Sequence, residues 1–199
     1  QCSWVHLYDR EGATKKAMDL VKMSVARAHY LKAQEETTVP ITQKALVIGG
    51  GVAGIQAALD LADTGYQVYL VEKEPSIGGR MAQIDKTFPT MDCSICILGP
   101  KMADVGNHKN ITLIANAEVT EISGYVGNFE VTIQKKPRYV DEDLCTACDE
   151  CVDACPVYVV DEYSGNLGWR KAIYIPYPQA VPAAYIIDEE HCLGLSPLT

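Results

Sequence analysis

No stretch of this sequence approaches the roughly 18 consecutive apolar residues that a membrane-spanning helix needs, so no direct membrane span is expected. Basic charge is scarce too: 17 Lys and Arg stand against 26 Asp and Glu, a formal net charge of −9. A nucleic-acid partner is not expected on that balance, because such a surface must neutralise phosphates with a basic face. The opening Gln1-Cys2-Ser3-Trp4-Val5-His6 lacks the basic region and apolar stretch of a secretory signal. It also lacks an initiating Met and runs straight into patterned sequence, which reads as a fragment or processed piece. Wholesale disorder is not expected either, since 48% hydrophobic and 22% charged residues is the balance of a globular chain. A length of 199 residues holds one mid-sized domain or two small ones.

Cysteine, by contrast, is abundant. Of eight cysteines, Cys145, Cys148, Cys151 and Cys155 fall within eleven residues. Neighbours that close rarely make a disulfide framework, so a reducing compartment and metal ligation are expected.

The patterning changes along the chain. Residues 12–35 read as an amphipathic helix, with Ala17, Leu20, Val21, Ser24, Ala28 and Leu31 near one face and Thr14 as a candidate N-cap. Glu35 to Pro40 reads as a polar linker, so residues 1–40 are taken as the end of a preceding domain. From Lys44 the grammar differs. Ala45-Leu46-Val47-Ile48 is a short apolar run of the kind buried on both faces of a parallel sheet. Gly49-Gly50-Gly51 ends it, and a helical pattern runs through Ile55, Ala58, Leu59 and Leu61-Ala62 to Gly65, where a terminal glycine belongs. Gln67 to Glu72 is a second strand, which completes a βαβ unit. Residues 111–114, 117–122 and 129–133 read as further strands, with a turn at Gly127-Asn128. Lys135-Lys136-Pro137-Arg138 marks the boundary to the cysteine-rich segment, which has few long apolar runs and would depend on metal more than on a large core.

Gly49-Gly50-Gly51-Val52-Ala53-Gly54 matches G-x-G-x-x-G between a predicted strand and a predicted helix, the context that gives this otherwise weak motif its value. Gly49 permits the tight turn, Gly51 lets backbone approach a pyrophosphate, and Gly54 allows close helix–strand packing. The pyrophosphate would rest on the helix N-terminus, beside Val52 and Ala53. Glu72, eighteen residues beyond Gly54, is placed to accept hydrogen bonds from ribose hydroxyls and would repel a 2′-phosphate. The following Lys73-Glu74-Pro75-Ser76-Ile77-Gly78-Gly79-Arg80 resembles the FAD-binding fingerprint of glutathione-reductase-like flavoproteins. On that resemblance FAD is favoured over NAD, with Lys73, Gly79 and Arg80 added to the candidate site.

Cys145-x2-Cys148-x2-Cys151-x3-Cys155-Pro156 is the bacterial ferredoxin run. Short loops wrap three thiolates around one cubane cluster, and the fourth reaches another cluster in two-cluster proteins. Zinc is the competing reading, but zinc sites rarely use so closely packed a run of four. Ile187 to Cys192 resembles Val140 to Cys145 and reads as the opening of a second motif, making Cys192 a further candidate ligand. Neither cluster obtains its full complement of cysteines from this sequence, a second sign of a fragment.

Cys93-Ser94-Ile95-Cys96 admits three readings: a redox dithiol facing the flavin, ligands of another iron–sulfur cluster, or inert thiols. Cys2 is either a ligand in an N-terminal domain or a structural thiol.

Taken in order, Cys2-Ser3-Trp4-Val5-His6, the Gly49–Gly54 loop, Glu72, Gly78-Gly79-Arg80, Asp92-Cys93-Ser94-Ile95-Cys96, the Cys145 run, Lys171-Ala172-Ile173-Tyr174 and Pro178 to Pro182 resemble the A-subunit family of heterodisulfide reductases. The resemblance spans essentially the whole chain. It implies an α/β fold: a Rossmann-like, glutathione-reductase-like FAD domain, incomplete over residues 41–137, with an inserted ferredoxin-like α+β domain over 138–199 carrying [4Fe–4S] clusters. It also implies a cytoplasmic, electron-transferring oxidoreductase whose partners are other subunits of the complex and a donor such as a hydrogenase, acting toward the coenzyme M–coenzyme B heterodisulfide. A flavin subunit of a quinone-interacting complex and a non-catalytic electron-relay module are the alternatives.

Overall fold

The computed structural model describes residues 2–36 and 38–195; Gln1, Thr37 and residues 196–199 lie outside the described residues, and with Thr37 so does part of the expected linker. The chain divides into two units, Gln1–Val39 and Pro40–Thr199.

The first unit consists of α1 (Cys2–Val5) and α2 (Arg10–His29). The long helix starts before residue 12 and ends well short of 35, and its N-cap is Asp9 rather than Thr14. Asp9 accepts from the Gly12 N–H at 2.9 Å, so a carboxylate sits at the positive end of the helix dipole. Thr14 instead donates its hydroxyl to the Arg10 carbonyl at 2.8 Å, a bond made inside a helix. Arg27 and His29 lie in the last turn, where cations are favoured. Continuing the helix would have put Glu35 and Glu36 at its negative end.

In the second unit, β1 (Lys44–Ile48), α3 (Val52–Asp63) and β2 (Gln67–Val71) form the βαβ unit. The strands pair in parallel from Lys44 opposite Gln67 to Ile48 opposite Val71. After α3, Gly65 takes a φ of +96°, and the Gly65 and Tyr66 N–H groups close back on the carbonyls of Ala62 (2.9 Å) and Leu61 (3.3 Å). This paired closure needs a left-handed residue where the sequence supplies glycine. A second crossover runs through a one-turn 3₁₀ helix (Gly79–Gln83), the short pair β3 (Lys86–Thr87) and β4 (Asp92–Cys93), and α4 (Ser94–Asn107). It leads to β5 (Ile111–Ile114), which pairs in parallel with β2. The sheet order is β1-β2-β5.

That order corrects the expectation for β1. It has one strand neighbour among the described residues and is only half-buried, whereas the central β2 buries Val68, Leu70 and Val71. An apolar run identifies a strand but not its place in the sheet. The antiparallel hairpin β6 (Ala117–Tyr125) and β7 (Asn128–Lys135) follows, with its turn on Val126-Gly127, one residue earlier than expected.

Residues 138–195 hold only short elements: α5 (Glu150–Ala154), the antiparallel pair β8 (Tyr158–Val160) and β9 (Trp169–Lys171), and the pair β10 (Ile173–Tyr174) and β11 (Ile186–Ile187). The core lies beside the parallel sheet. Ile55, Ala58 and Leu59 of α3 meet Leu98, Met102 and Val105 of α4 and Leu70 of β2, and Tyr177 and Ala180 from beyond the cysteine run complete it.

Candidate functional site

The Gly49–Gly54 loop has a separate physical reason for most of its glycines. Gly49 turns the chain at a φ of +99°. Gly54 lies so close to the Gly49 carbonyl that any side chain would collide with it, with Val47 of β1 alongside. Gly50, a free position in the motif, is equally constrained. An added Cβ would stand 2.9 Å from the Ile77 Cβ, and its N–H donates to Glu72 Oε2 at 2.5 Å while its carbonyl accepts from the Gly78 N–H at 2.7 Å. Gly51 is the N-cap of α3 and supplies no side-chain cap, and nothing lies within 4 Å of where its Cβ would be. Val52 and Ala53 open the first turn of α3 on the exposed side.

Glu72 is only 6% exposed, and both carboxylate oxygens are engaged: Oε2 by Gly50 and Oε1 by the Glu74 N–H at 2.9 Å. Each oxygen retains a further lone pair for a hydroxyl donor. Lys73 is exposed and pairs loosely with Glu74 at 3.7 Å, a contact worth little in water. Gly78 and Gly79 take φ values of +126° and +55°, and a Cβ on Gly79 would lie 3.1 Å from the Gly51 Cα. The two glycine loops therefore abut. Arg80 is exposed, with one bond from Nη1 to Gln83 Oε1 at 3.2 Å.

What sequence reasoning missed is how this loop is braced from residues beyond the cysteine run. The Tyr177 hydroxyl donates to the Ile77 carbonyl, the Val181 N–H donates to Ser76 Oγ at 2.9 Å, and Ile77 N–H donates to the Val181 carbonyl at 3.1 Å. Tyr163 stacks on Tyr177 at 5.0 Å between centroids and donates to the Ala82 carbonyl at 2.5 Å. Arg138 is buried and donates to the carbonyls of Pro75 (2.6 Å) and Ala184 (3.0 Å) and to Glu142 Oε1 (3.1 Å). It ties the flavin fingerprint to the approach to Cys145. No local pattern announces these partners, which lie up to about a hundred residues apart in sequence; only the extra glycine at position 50 was visible.

The cysteine run folds as a tight loop. Ala147 and Asp149, on either side of Cys148, are left-handed at φ values of +52° and +67°, and the Tyr185 hydroxyl donates to the Asp149 carboxylate. Left-handed backbone at an alanine is costly and persists only where the surroundings demand it. Cys145, Cys151, Cys155 and Cys192 are half-buried and Cys148 is exposed. Burial pushes the Cys151 thiol up, and the neighbouring Cys145 and Cys148 add to this. Burial also acts to raise Cys155, but backbone hydrogen bonds at Val157, Ile173 and Ala172 and the nearby Lys171 ammonium hold it below the ordinary thiol value. Among the described residues no three His, Cys, Asp or Glu side chains converge on a single ion position. A four-iron cluster takes each thiolate on a different iron, so its ligands stand apart around a cubane instead of meeting at a point.

The similarity of Ile187–Cys192 to Val140–Cys145 extends to the backbone. Cys145 N–H donates to the Asp141 carbonyl at 3.0 Å, and Cys192 N–H donates to the Asp188 carbonyl at 2.9 Å. The aspartates differ in task. Asp141 accepts from the N–H groups of Asp143 and Leu144, while Asp188 holds Arg170 at 2.9 Å and His191 at 3.0 Å. Burial acts against the charge on Asp188, yet these two partners keep its carboxyl below the usual range.

Cys93 and Cys96 are joined as a disulfide at the start of α4, where Cys93 is the N-cap and its sulfur accepts from the Cys96 N–H at 3.3 Å. That is the oxidised form of a dithiol, and ligation by either sulfur requires it to open. Cys2 is half-buried in the first unit.

A glycine cradle backed by a buried carboxylate, followed by a ferredoxin-type cysteine run, defines a flavoprotein-type dinucleotide fold joined to an iron–sulfur segment. Family models agree on both parts: an FAD dependent oxidoreductase model matches residues 45–92 and a 4Fe-4S binding domain model matches residues 138–161. The chain is 61% identical over 97% of its length to the A-subunit of the H(2):CoB-CoM heterodisulfide,ferredoxin reductase of Methanothermobacter thermautotrophicus. It is 65% identical over 94% of its length to the second A-type iron-sulfur subunit of the CoB–CoM heterodisulfide reductase of Methanopyrus kandleri. The chain is thus homologous to a segment of the heterodisulfide reductase A-subunit, and it spans 29% and 28% of the length of these two relatives. Among solved structures, L-proline dehydrogenase from P. horikoshii is similar over 53% of this chain and 22% of that one, at 25% identity and a TM-score of 0.41.

Proposed function

We propose that this chain is the FAD- and [4Fe–4S]-bearing electron-transfer part of a heterodisulfide reductase-type complex in the cytoplasm, carrying electrons from a donor such as a hydrogenase toward the CoM-S-S-CoB heterodisulfide or a related acceptor. The observation that carries it is the pairing of a glycine-loop nucleotide cradle with a duplicated cysteine turn in one unit of the chain.

The residues present fit an FAD nucleotide. Open space at Gly51, beside an uncapped helix start, suits a pyrophosphate, and the buried Glu72 carboxylate suits a ribose diol. Gly49, Gly51, Val52, Ala53, Gly54, Glu72, Lys73, Gly79 and Arg80 form this site, within a domain of residues 41–137. Cys145, Cys148, Cys151, Cys155 and Cys192 are the cluster ligands of residues 138–199, with soft thiolate donors of the kind iron–sulfur clusters take. When bound, FAD supplies two-electron chemistry and the clusters supply one-electron steps. The chain's own part is to hold the nucleotide against the glycine loops, to keep the Glu72 carboxyl aimed by two backbone N–H groups, and to set the thiols by the turns at Asp141 and Asp188.

The test is anaerobic purification of the full-length protein followed by quantification of flavin, iron and sulfide. Near-stoichiometric FAD that is lost in Glu72→Ala, with iron and sulfide that fall in Cys151→Ser, is expected. Protein that takes up neither FAD nor iron after reconstitution would refute the reading.

A further inference from the structure

Beside Glu72 lies a cleft of about 480 Å³, within the usual range for small-molecule sites. One wall is the flavin fingerprint, with Glu72 and Arg80. The other comes from beyond the cysteine run, with Tyr163, Arg170, Tyr174 and Tyr177. That second wall is set by its own contacts. The Arg170 guanidinium carbon lies 3.9 Å from the centroid of the Tyr174 ring, and Asp188 holds the same guanidinium at 2.9 Å. An aromatic ring and a guanidinium plane are both stacking surfaces for a flat heterocycle. Glu74, Asp161 and Glu162 also line the cleft, and with Glu72 these carboxylates outnumber the cations there, Lys73, Arg80 and Arg170. Carboxylates there suit sugar hydroxyls and an exocyclic amine, and they repel phosphate. The base and sugar therefore belong in the cleft, with the diphosphate running out to the glycine loops.

We propose that the iron–sulfur segment completes the FAD site: the adenosine end of FAD lies in this cleft, with its ribose at Glu72 and its base against the Tyr174–Arg170 wall. The inference rests on the FAD reading above and goes beyond it, because the nucleotide site is then shared between the βαβ unit and the segment that carries the cluster cysteines. Tyr174 belongs to β10, which pairs with β11 five residues ahead of Cys192, so loading of the nucleotide and ordering of the cluster segment become linked.

The test uses full-length protein, stripped of flavin under anaerobic conditions and titrated with FAD and, separately, with ADP. Tyr174→Leu weakens both by the same factor, about ten-fold, the loss that one stacked base commonly produces. Tyr174→Phe, which keeps the ring, binds both as the parent protein does. A folded Tyr174→Leu protein with normal iron content and undiminished ADP affinity overturns the proposal while the FAD reading stands; parent protein that binds no FAD removes both. A second measurement does not depend on the variant. ADP added to the parent protein slows amide hydrogen exchange across residues 170–177, and unchanged exchange there also overturns the proposal.

Discussion

Residues 44–114 and residues 138–195 lie in one unit but are held together differently. The first stretch buries the side chains of two helices on a parallel sheet, with Ile55, Leu70, Leu98 and Met102 fully out of water. The second has strands of two or three residues, and what it buries is largely small or amphipathic: Ala172, Ala180, Ala184, Tyr177 and Tyr185. Its order comes from hydrogen-bonded turns and from polar ties such as Arg138 and Tyr163. A region with so little apolar core gains its remaining stability from a bound group, as small metal-dependent domains do. The two cofactor regions should therefore fail by different routes.

The largest expected effect falls on the second region. Cys151→Ser, or removal of iron from the parent protein, should open residues 138–195 to proteolysis and fast hydrogen exchange while the βαβ unit keeps its protection. Equal protection of both regions in iron-free protein would abolish the distinction. Next comes the apolar core. Leu70→Ala leaves a cavity under the sheet and should cost about 2–5 kcal/mol, read as a lower denaturation midpoint of the βαβ unit with iron content unchanged. Third is the tie between the regions. Arg138→Met removes charged donors from the Pro75 and Ala184 carbonyls and should cost about 1.5–3 kcal/mol, with faster exchange appearing at both residues 75–78 and 138–145. A change confined to one side would mean that the two regions are not coupled there.

The smallest effect is in alkali. Burial first, then the nearby Tyr177 and Asp161, push the Tyr163 phenol up to about 12. Because the folded-state value lies above that of the unfolded chain, the stability it confers is complete below the ordinary tyrosine range near 10 and is lost as pH rises toward 12. Burial also raises Tyr139, Tyr174, Tyr177 and Tyr185, so several phenols should ionise late in an ultraviolet titration, and Tyr163→Phe should reduce that late amplitude by one phenol. An unchanged late amplitude in the variant would mean that Tyr163 is not among the protected phenols.

The sequence by itself determined the βαβ unit, the places of Gly49, Gly54 and Gly65, the position of Glu72 at the end of β2, and the likeness of the Cys145 and Cys192 turns. Each of these depends on neighbours a few residues away: an apolar run, a backbone angle that only glycine takes easily, or a carbonyl four residues upstream. The limits of α2 were less legible, because Asp9 outcompetes Thr14 as a cap and the carboxylates at 35 and 36 oppose extension. Tertiary structure alone decided that β1 lies at the edge of the described sheet, that Gly50 is as constrained as its neighbours, and that Tyr163, Tyr177 and Arg138 brace the flavin fingerprint from beyond the cysteine run. Those outcomes depend on which distant carbonyl, ring or strand comes alongside. A tyrosine that will cap Ile77 from position 177 carries no mark of it in the residues around either one, because the contact forms only after two separate stretches of chain have packed on the same core.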